Sequence, residues 1–251
     1  MLARTDSSQK VASLKLVKGG RSSGSEFVVF LVDDDVALLD ALTRLLQTTG
    51  YKIRAYSSSE TFLAEHDASV PGCVVLDLTM PVLNGLDVQR ALKRQEFERP
   101  IVFLTGHASI CTTVLAMRAG ATDVLLKPVN SSELLQAIKS AEEQDRKSRF
   151  AERERRAILV RFEKLSPREK EVLTHVIAGR QNKQIAGVLG ISLKTTKVHR
   201  GHMMEKMGVG SVAELVRMTE KISLRPHETV DEFDNRASDL WAWNEGNVAR
   251  G

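Results

Sequence analysis

Cysteine is nearly absent from this chain of 251 residues: there are 2, Cys73 and Cys111, the first inside an apolar run. Two cysteines cannot build a disulfide framework, and a reducing compartment is the natural setting for such a chain. Long apolar stretches are lacking too. The longest early run, Phe27 to Val32, falls far short of the ~18 residues that cross a bilayer, and it begins too far along the chain for the apolar core of a secretory leader. Aromatic residues make up only 5% of the chain and proline only 6 positions, yet the hydrophobic content of 42% is ample for a packed core and excludes wholesale disorder. The 16 glycines follow no period, which excludes collagen. A soluble, cytoplasmic protein with no membrane partner is expected, as one large domain or two small ones.

What is present is organised in segments. Residues 1–26 carry five basic and two acidic side chains and a Ser/Gly cluster at 22–25, with no sustained period, and read as a disordered tail. From 27 to 141, short apolar runs (FVVFLV, YKIRAY, CVVLDL, IVFLT, TDVLL) alternate with stretches of helical spacing. The helical stripes are Val36, Leu39, Leu42 and Leu46; Phe62 and Leu63; Leu86, Val88 and Leu92; Ile110, Val114 and Met117; Leu134, Leu135 and Ile138. Strand and helix in strict alternation predict a doubly wound, flavodoxin-like α/β domain with a five-stranded parallel sheet. Residues 142–164 mix both signs of charge at helical spacing, as a solvated helical connector does. Residues 165–221 lack strand-like runs and break at Gly179, Gly190 and Gly208, predicting a small all-α domain. The remainder, 222–251, reads as a flexible tail; its Trp241 and Trp243 have no assignable role.

The polar residues that close the apolar runs carry the chemistry. The first run ends in Asp33, Asp34 and Asp35, the third in Asp77, the fourth at Thr105, and the fifth at Lys127 followed by Pro128. In a parallel sheet these ends lie side by side, at the edge where ligands bind. Each acid alone could be a helix N-cap, and Asp35 is placed to cap the helix beginning at Val36. Their coincidence at four strand ends points instead to a hard cation, since bare carboxylates repel, and an oxygen donor set suits octahedral Mg²⁺ at about 2.1 Å. A Lys and a Thr hydroxyl beside the metal suit an incoming phosphoryl group, with an Asp as covalent acceptor.

Residues 27–141 thus resemble the receiver domain of two-component response regulators, on the acidic pair in LVDDD, the LDLTMPVLNG segment, Thr105 in FLTGHA, and Lys127-Pro128. The resemblance implies that Asp77 is the phosphoacceptor, served by a sensor histidine kinase. It implies Asp34 and Asp77 as direct Mg²⁺ ligands, Asp33 acting through water, the backbone carbonyl of Thr79 completing the set, and Thr105 and Lys127 as phosphoryl-binding groups. The Lys127-Pro128 bond is cis in that family. One departure stands out: Val124 occupies a place where the family usually has Tyr or Phe, which leaves the conformational relay to Thr105 and the 109–119 helix. His107 and Thr79 occupy rim positions that bear on water access to the phosphate.

In the C-terminal segment, Ser166, Pro167 and Glu169 form a capping box in sequence form. A helix over 182–189, a turn at Gly190-Ile191 and a longer helix starting at Ser192 and running to Met207 give a helix-turn-helix plan. Thr196, His199, Met203 and Met207 form the inward stripe, leaving Lys194, Lys197, Val198, Gly201 and His202 outward. Between 182 and 206 there are five basic residues and one acid, a face suited to phosphates and the major groove. Residues 165–208 resemble the LuxR-type helix-turn-helix of NarL/FixJ-class regulators, with Thr196 standing where the family usually has Val. The resemblance places Lys197, Val198 and Gly201 where base edges are read, with Gly201 standing where a longer side chain is common and so reducing direct readout there. It implies phosphate contacts from Lys194, Thr195, Arg200 and Lys206 and a scaffold helix that opens at Asn182, Lys183 and Gln184. It also implies a homodimer formed through the 211–221 helix, on paired half-sites of promoter DNA.

The expectation is a phosphorylation-dependent DNA-binding transcriptional regulator and not a metabolic enzyme. Two other readings compete with it. One is a regulator acting through protein contacts without DNA. The other is an Mg²⁺-dependent phosphohydrolase with an aspartyl-phosphate intermediate, which usually has a second acid two residues after the nucleophile, where this chain has Thr79. The net charge of +4 divides accordingly: residues 27–141 carry 13 acids against 10 basic side chains, and 165–221 carry 10 basic against 5 acids.

Overall fold

The computed structural model describes residues 27–93, 99–106 and 110–225. The tails at 1–26 and 226–251, with Trp241 and Trp243, and His107 lie outside the described residues. The chain divides into two compact units at Asp145/Arg146.

In the first unit, β1 (Val28–Val32), β2 (Lys52–Tyr56), β3 (Gly72–Asp77), β4 (Ile101–Thr105) and β5 (Asp123–Leu126) form one sheet in the order β2-β1-β3-β4-β5. Every pairing is parallel. The connecting helices are α1 (Val36–Thr48), α2 (Ser59–Glu65), α3 (Gly85–Lys93) and α4 (Ile110–Arg118), and α5 (Ser131–Glu163) begins after β5 and continues into the second unit. Strand side chains alternate between two cores. Phe30, Val32, Val74, Leu76, Ile101 and Phe103 pack with Phe62, Val88, Leu92 and Ala116. Val29, Leu31, Cys73, Val75, Val102 and Leu104 pack with Leu39, Leu42, Leu46, Leu134 and Ile138. A sheet buried on both faces explains why its central strands read as unbroken apolar runs.

Caps set where the helices begin. Asp35, in extended conformation, accepts hydrogen bonds from the N–H groups of Ala37 and Leu38 and starts α1. Ser58 does the same for α2 through Thr61. Two apolar stripes depart from expectation. Val36 is 60% exposed, because as the first helical residue it faces the C-terminal edge of the sheet and not its flank. In α4 it is Ala116 that is buried, while Val114, Leu115 and Met117 are 42%, 55% and 45% exposed. The helix is rotated so that this alanine meets the core, and the larger side chains one or two positions away point to other faces.

The second unit contains α6 (Pro167–Ile177), α7 (Asn182–Leu189), α8 (Leu193–Met207) and α9 (Val212–Lys221). Its core joins Ile158, Leu159 and Phe162 of α5 to Val172, Leu173, Val176, Ile185, Met203, Met207 and Leu215. The Ser166–Glu169 capping box is complete in both directions. Gly190 ends α7 at φ +65°, a left-handed conformation that glycine adopts without steric cost and that turns the chain into α8.

Candidate functional site

The parallel register brings the strand ends together. Val32 pairs with Leu76, so Asp33 and Asp77 follow side by side. Asp77 pairs with Leu104 and Thr105 with Leu126, so Thr105 and Lys127 continue the row. The strand order reverses between β1 and β3, which places the two acids at the switch point of the sheet. Carboxylate oxygens of Asp33, Asp34 and Asp77 all lie within 4.8 Å of one another. Asp33 and Asp77 are 2% and 5% exposed, whereas Asp34 is open to solvent. Lys127 Nζ bridges the buried pair, donating to Asp33 Oδ2 at 2.7 Å and to Asp77 Oδ2 at 2.9 Å. The Asp35 N–H donates to Asp33 Oδ1 and the Thr79 N–H to Asp77 Oδ1. Thr105 is buried, and the Lys127-Pro128 peptide is cis. Gly85 supports the floor of this site: a Cβ there would sit 2.6 Å from the Asp77 carbonyl oxygen.

Electrostatics follow from this packing. Burial pushes the Asp33 carboxyl above the usual carboxylate range, against the pull of Lys127 and the Asp35 N–H. Burial alone would lower the Lys127 ammonium, but its bonds to Asp33 and Asp77 outweigh that and hold it above its ordinary value. Lys127 is therefore a full positive charge among three acids. Three oxygen-bearing carboxylates this close fit a hard divalent cation, and Asp33, Asp34 and Asp77 are the side chains that could hold one.

In the second unit, Lys194, Lys197, Val198, Gly201 and His202 face solvent on α8, while Thr196, Met203 and Met207 are buried. His199 is half-buried. Thr196 occupies a fully buried position without cost in unpaired groups, because its hydroxyl donates to the Ser192 carbonyl at 3.1 Å. Thr195 accompanies the Ser192 cap. Two of the basic residues are held by the domain itself. Arg200 Nη1 donates to Asn182 Oδ1 at 2.7 Å, pinning the start of α7 to α8. Lys206 Nζ donates to Glu169 Oε2 at 2.6 Å, pinning α6 to the end of α8.

Comparison with known proteins now decides the family. The model of the response regulator receiver domain matches residues 29–139, and that of bacterial regulatory proteins of the luxR family matches residues 163–219. This chain is a response regulator. It is 41% identical over 213 residues to Nodulation protein W of Bradyrhizobium diazoefficiens, covering 84% of this chain and 94% of that one. It is 42% identical over 195 residues to the response regulator protein TodT of Pseudomonas putida, covering 78% and 86%. Among solved structures, the response regulator StyR superposes with a TM-score of 0.68 at 39% identity, covering 78% of this chain and 99% of that one. The response regulator thus consists of a receiver joined to a luxR-type DNA-binding domain, the architecture of a phosphorylation-dependent transcriptional regulator. No helix among its described residues is long and apolar enough to cross a membrane.

Of the residues singled out in sequence, Asp33, Asp34, Asp77 and Lys127 meet directly, with Thr79 and Thr105 beside them. On α8, Lys194, Lys197, Val198 and Gly201 share one open stripe, and Thr195 and Arg200 flank it. Lys206 stands apart from them, turned to Glu169. That partner could have been foreseen only in part: the capping box showed that Glu169 folds back on Ser166, but not that a Lys 37 positions later completes its bonding. Burial alone would raise the Glu169 carboxyl, yet Lys206 and the Ser166 N–H outweigh it and hold it below the usual range. A depressed carboxylate contributes stability that is complete above the ordinary carboxylate range and is lost as pH falls through that range toward its folded value. Glu169→Gln should therefore cost about 1.5–3 kcal/mol at neutral pH. It should also remove part of the acid sensitivity of the second unit, measured by urea unfolding of both proteins across a pH series.

Proposed function

We propose that Asp77 accepts a phosphoryl group from a sensor histidine kinase and that this acyl phosphate governs promoter binding by the second domain. The observation that carries the reading is the cluster of Asp33, Asp34 and Asp77 spanned by Lys127 at 2.7 and 2.9 Å. Asp34 and Asp77, with the Thr79 carbonyl, would hold Mg²⁺ directly, and Asp33 would hold it through water. When bound, the cation neutralises the acids and the oxygens of the incoming group. An Asp77 carboxylate oxygen attacks phosphorus while the bond to the donor's leaving nitrogen breaks. Lys127 supplies an ammonium to a phosphoryl oxygen, and the Thr105 hydroxyl supplies a hydrogen bond to another. Phosphorylation then shifts an existing equilibrium of the receiver.

At the place where an aromatic side chain often serves that shift, Val124 lies on β5 opposite Phe103, partly buried in the core. The transition is therefore carried by Thr105 and α4. In the second domain, Lys197 and Val198 read base edges with Gly201 beside them on the stripe, and Lys194, Thr195 and Arg200 contact phosphates. Lys206 joins them only by exchanging its Glu169 partner. A cytoplasmic homodimer on paired half-sites completes the reading. The test is direct: with acetyl phosphate and Mg²⁺ the full chain should acquire acid-labile label and bind DNA more tightly, and EDTA should prevent both. Equal labelling in EDTA would sink the metal assignment.

A further inference from the structure

The domain itself gives no reason for a glycine at position 201. Residue 201 lies in the interior of α8, more than one turn from either end of a 15-residue helix, where glycine is the least favourable residue after proline. Glycines elsewhere answer to the fold: Gly85 has the Asp77 carbonyl against it, and Gly190 is left-handed. Gly201 has neither constraint. Its φ is not among the positive values, and a Cβ built on it would meet nothing within 4 Å. It is exposed, and it lies at i+7, i+4 and i+3 from Lys194, Lys197 and Val198, in the middle of the open stripe.

We propose that Gly201 is a specificity-determining residue for DNA: it lets the α8 backbone sink deeper into the major groove than a helix with side chains all round. This rests on the reading that α8 enters the groove. Such a helix is about 10–12 Å across with its side chains, and the groove is about 12 Å wide and 8.5 Å deep. A missing side chain on the facing stripe is thus a gain in depth, which lets short Val198 reach a base edge. Exposed Val198 offers only apolar contact, so the pairs beneath it should be those that present a thymine methyl.

Gly187 supplies the control. It too is an exposed helical glycine with nothing within 4 Å of its Cβ, but it lies on α7, off the stripe. Native protein, Gly201→Ala, Gly187→Ala and Lys197→Ala, each as the full chain, are used to select from the same pool of random-sequence DNA duplexes. Thermal unfolding is recorded for each. Both glycine variants should melt higher than native. Gly201→Ala should lose about tenfold or more in affinity for duplexes selected by the native protein, and its own selected sequences should lose the base preference beneath position 198. Gly187→Ala should match native in both respects. Native-like affinity and sequence preference for Gly201→Ala, with Lys197→Ala defective, would overturn the proposal alone. Equal changes in both glycine variants would overturn it as an effect of stabilisation. Native-like binding by Lys197→Ala would remove the reading of α8 and this proposal with it.

Discussion

Asp77→Asn should reduce Mg²⁺-dependent labelling by acetyl phosphate to background while leaving the receiver folded. The substitution is nearly isosteric, so the amide oxygen can still accept the Thr79 N–H bond now made to Asp77 Oδ1 at 3.1 Å. What disappears is the anionic oxygen that attacks phosphorus, for which an amide is no substitute. Stability should change little: the amide NH2 cannot accept from Lys127 and the ammonium turns to Asp33 alone, while the removal of one of two neighbouring buried carboxylates offsets that lost bond. Labelling followed by acid treatment, with circular dichroism to confirm the fold, checks both halves. Undiminished acid-labile label in the variant would move the acceptor to another residue.

The second large effect belongs to Lys197. Its ammonium is exposed and makes no hydrogen bond or ion pair among the described residues, so Lys197→Ala disturbs nothing within the domain. A base contact is worth about 1–3 kcal/mol, and two recognition helices on paired half-sites double that. Specific affinity should fall by about thirtyfold or more, while thermal unfolding stays native. If the ammonium also meets a phosphate, the slope of log affinity against log salt should become shallower by about one per copy. Fluorescence anisotropy over a salt series measures all of this. Unchanged affinity would transfer DNA recognition away from α8, in favour of a regulator acting through protein contacts.

The receiver's fold was legible because its periods are strong. Runs such as VVFLV and CVVLD announce strands buried on both faces, and Asp33, Asp77, Thr105 and Lys127 fall at strand ends that any parallel sheet must align. What escaped sequence reading depends on distances that periodicity does not carry. Val36 fits a helical stripe by spacing, yet its place at the first turn sends it to solvent. The α4 stripe fails for another reason: the helix is rotated so that Ala116 meets the core, and Val114, Leu115 and Met117, one or two residues away, point to other faces. Lys206 and Arg200 looked alike as cations, and only the folded domain shows that Glu169 holds one and Asn182 the other. Pairing across tens of residues leaves no local pattern in sequence.

Lys127 gives the resting receiver its own counter-ion. Three acids alone would repel one another at the switch point, and the ammonium bonded to two of them offsets that repulsion. The same bond has a kinetic side. Asp77 Oδ2 accepts from Lys127 and Oδ1 from the Thr79 N–H, so on the proposed reading an attacking oxygen must first give up one of these bonds. If Asp77 is the acceptor, the same lysine would both hold its carboxylate before transfer and meet the phosphoryl oxygens after it.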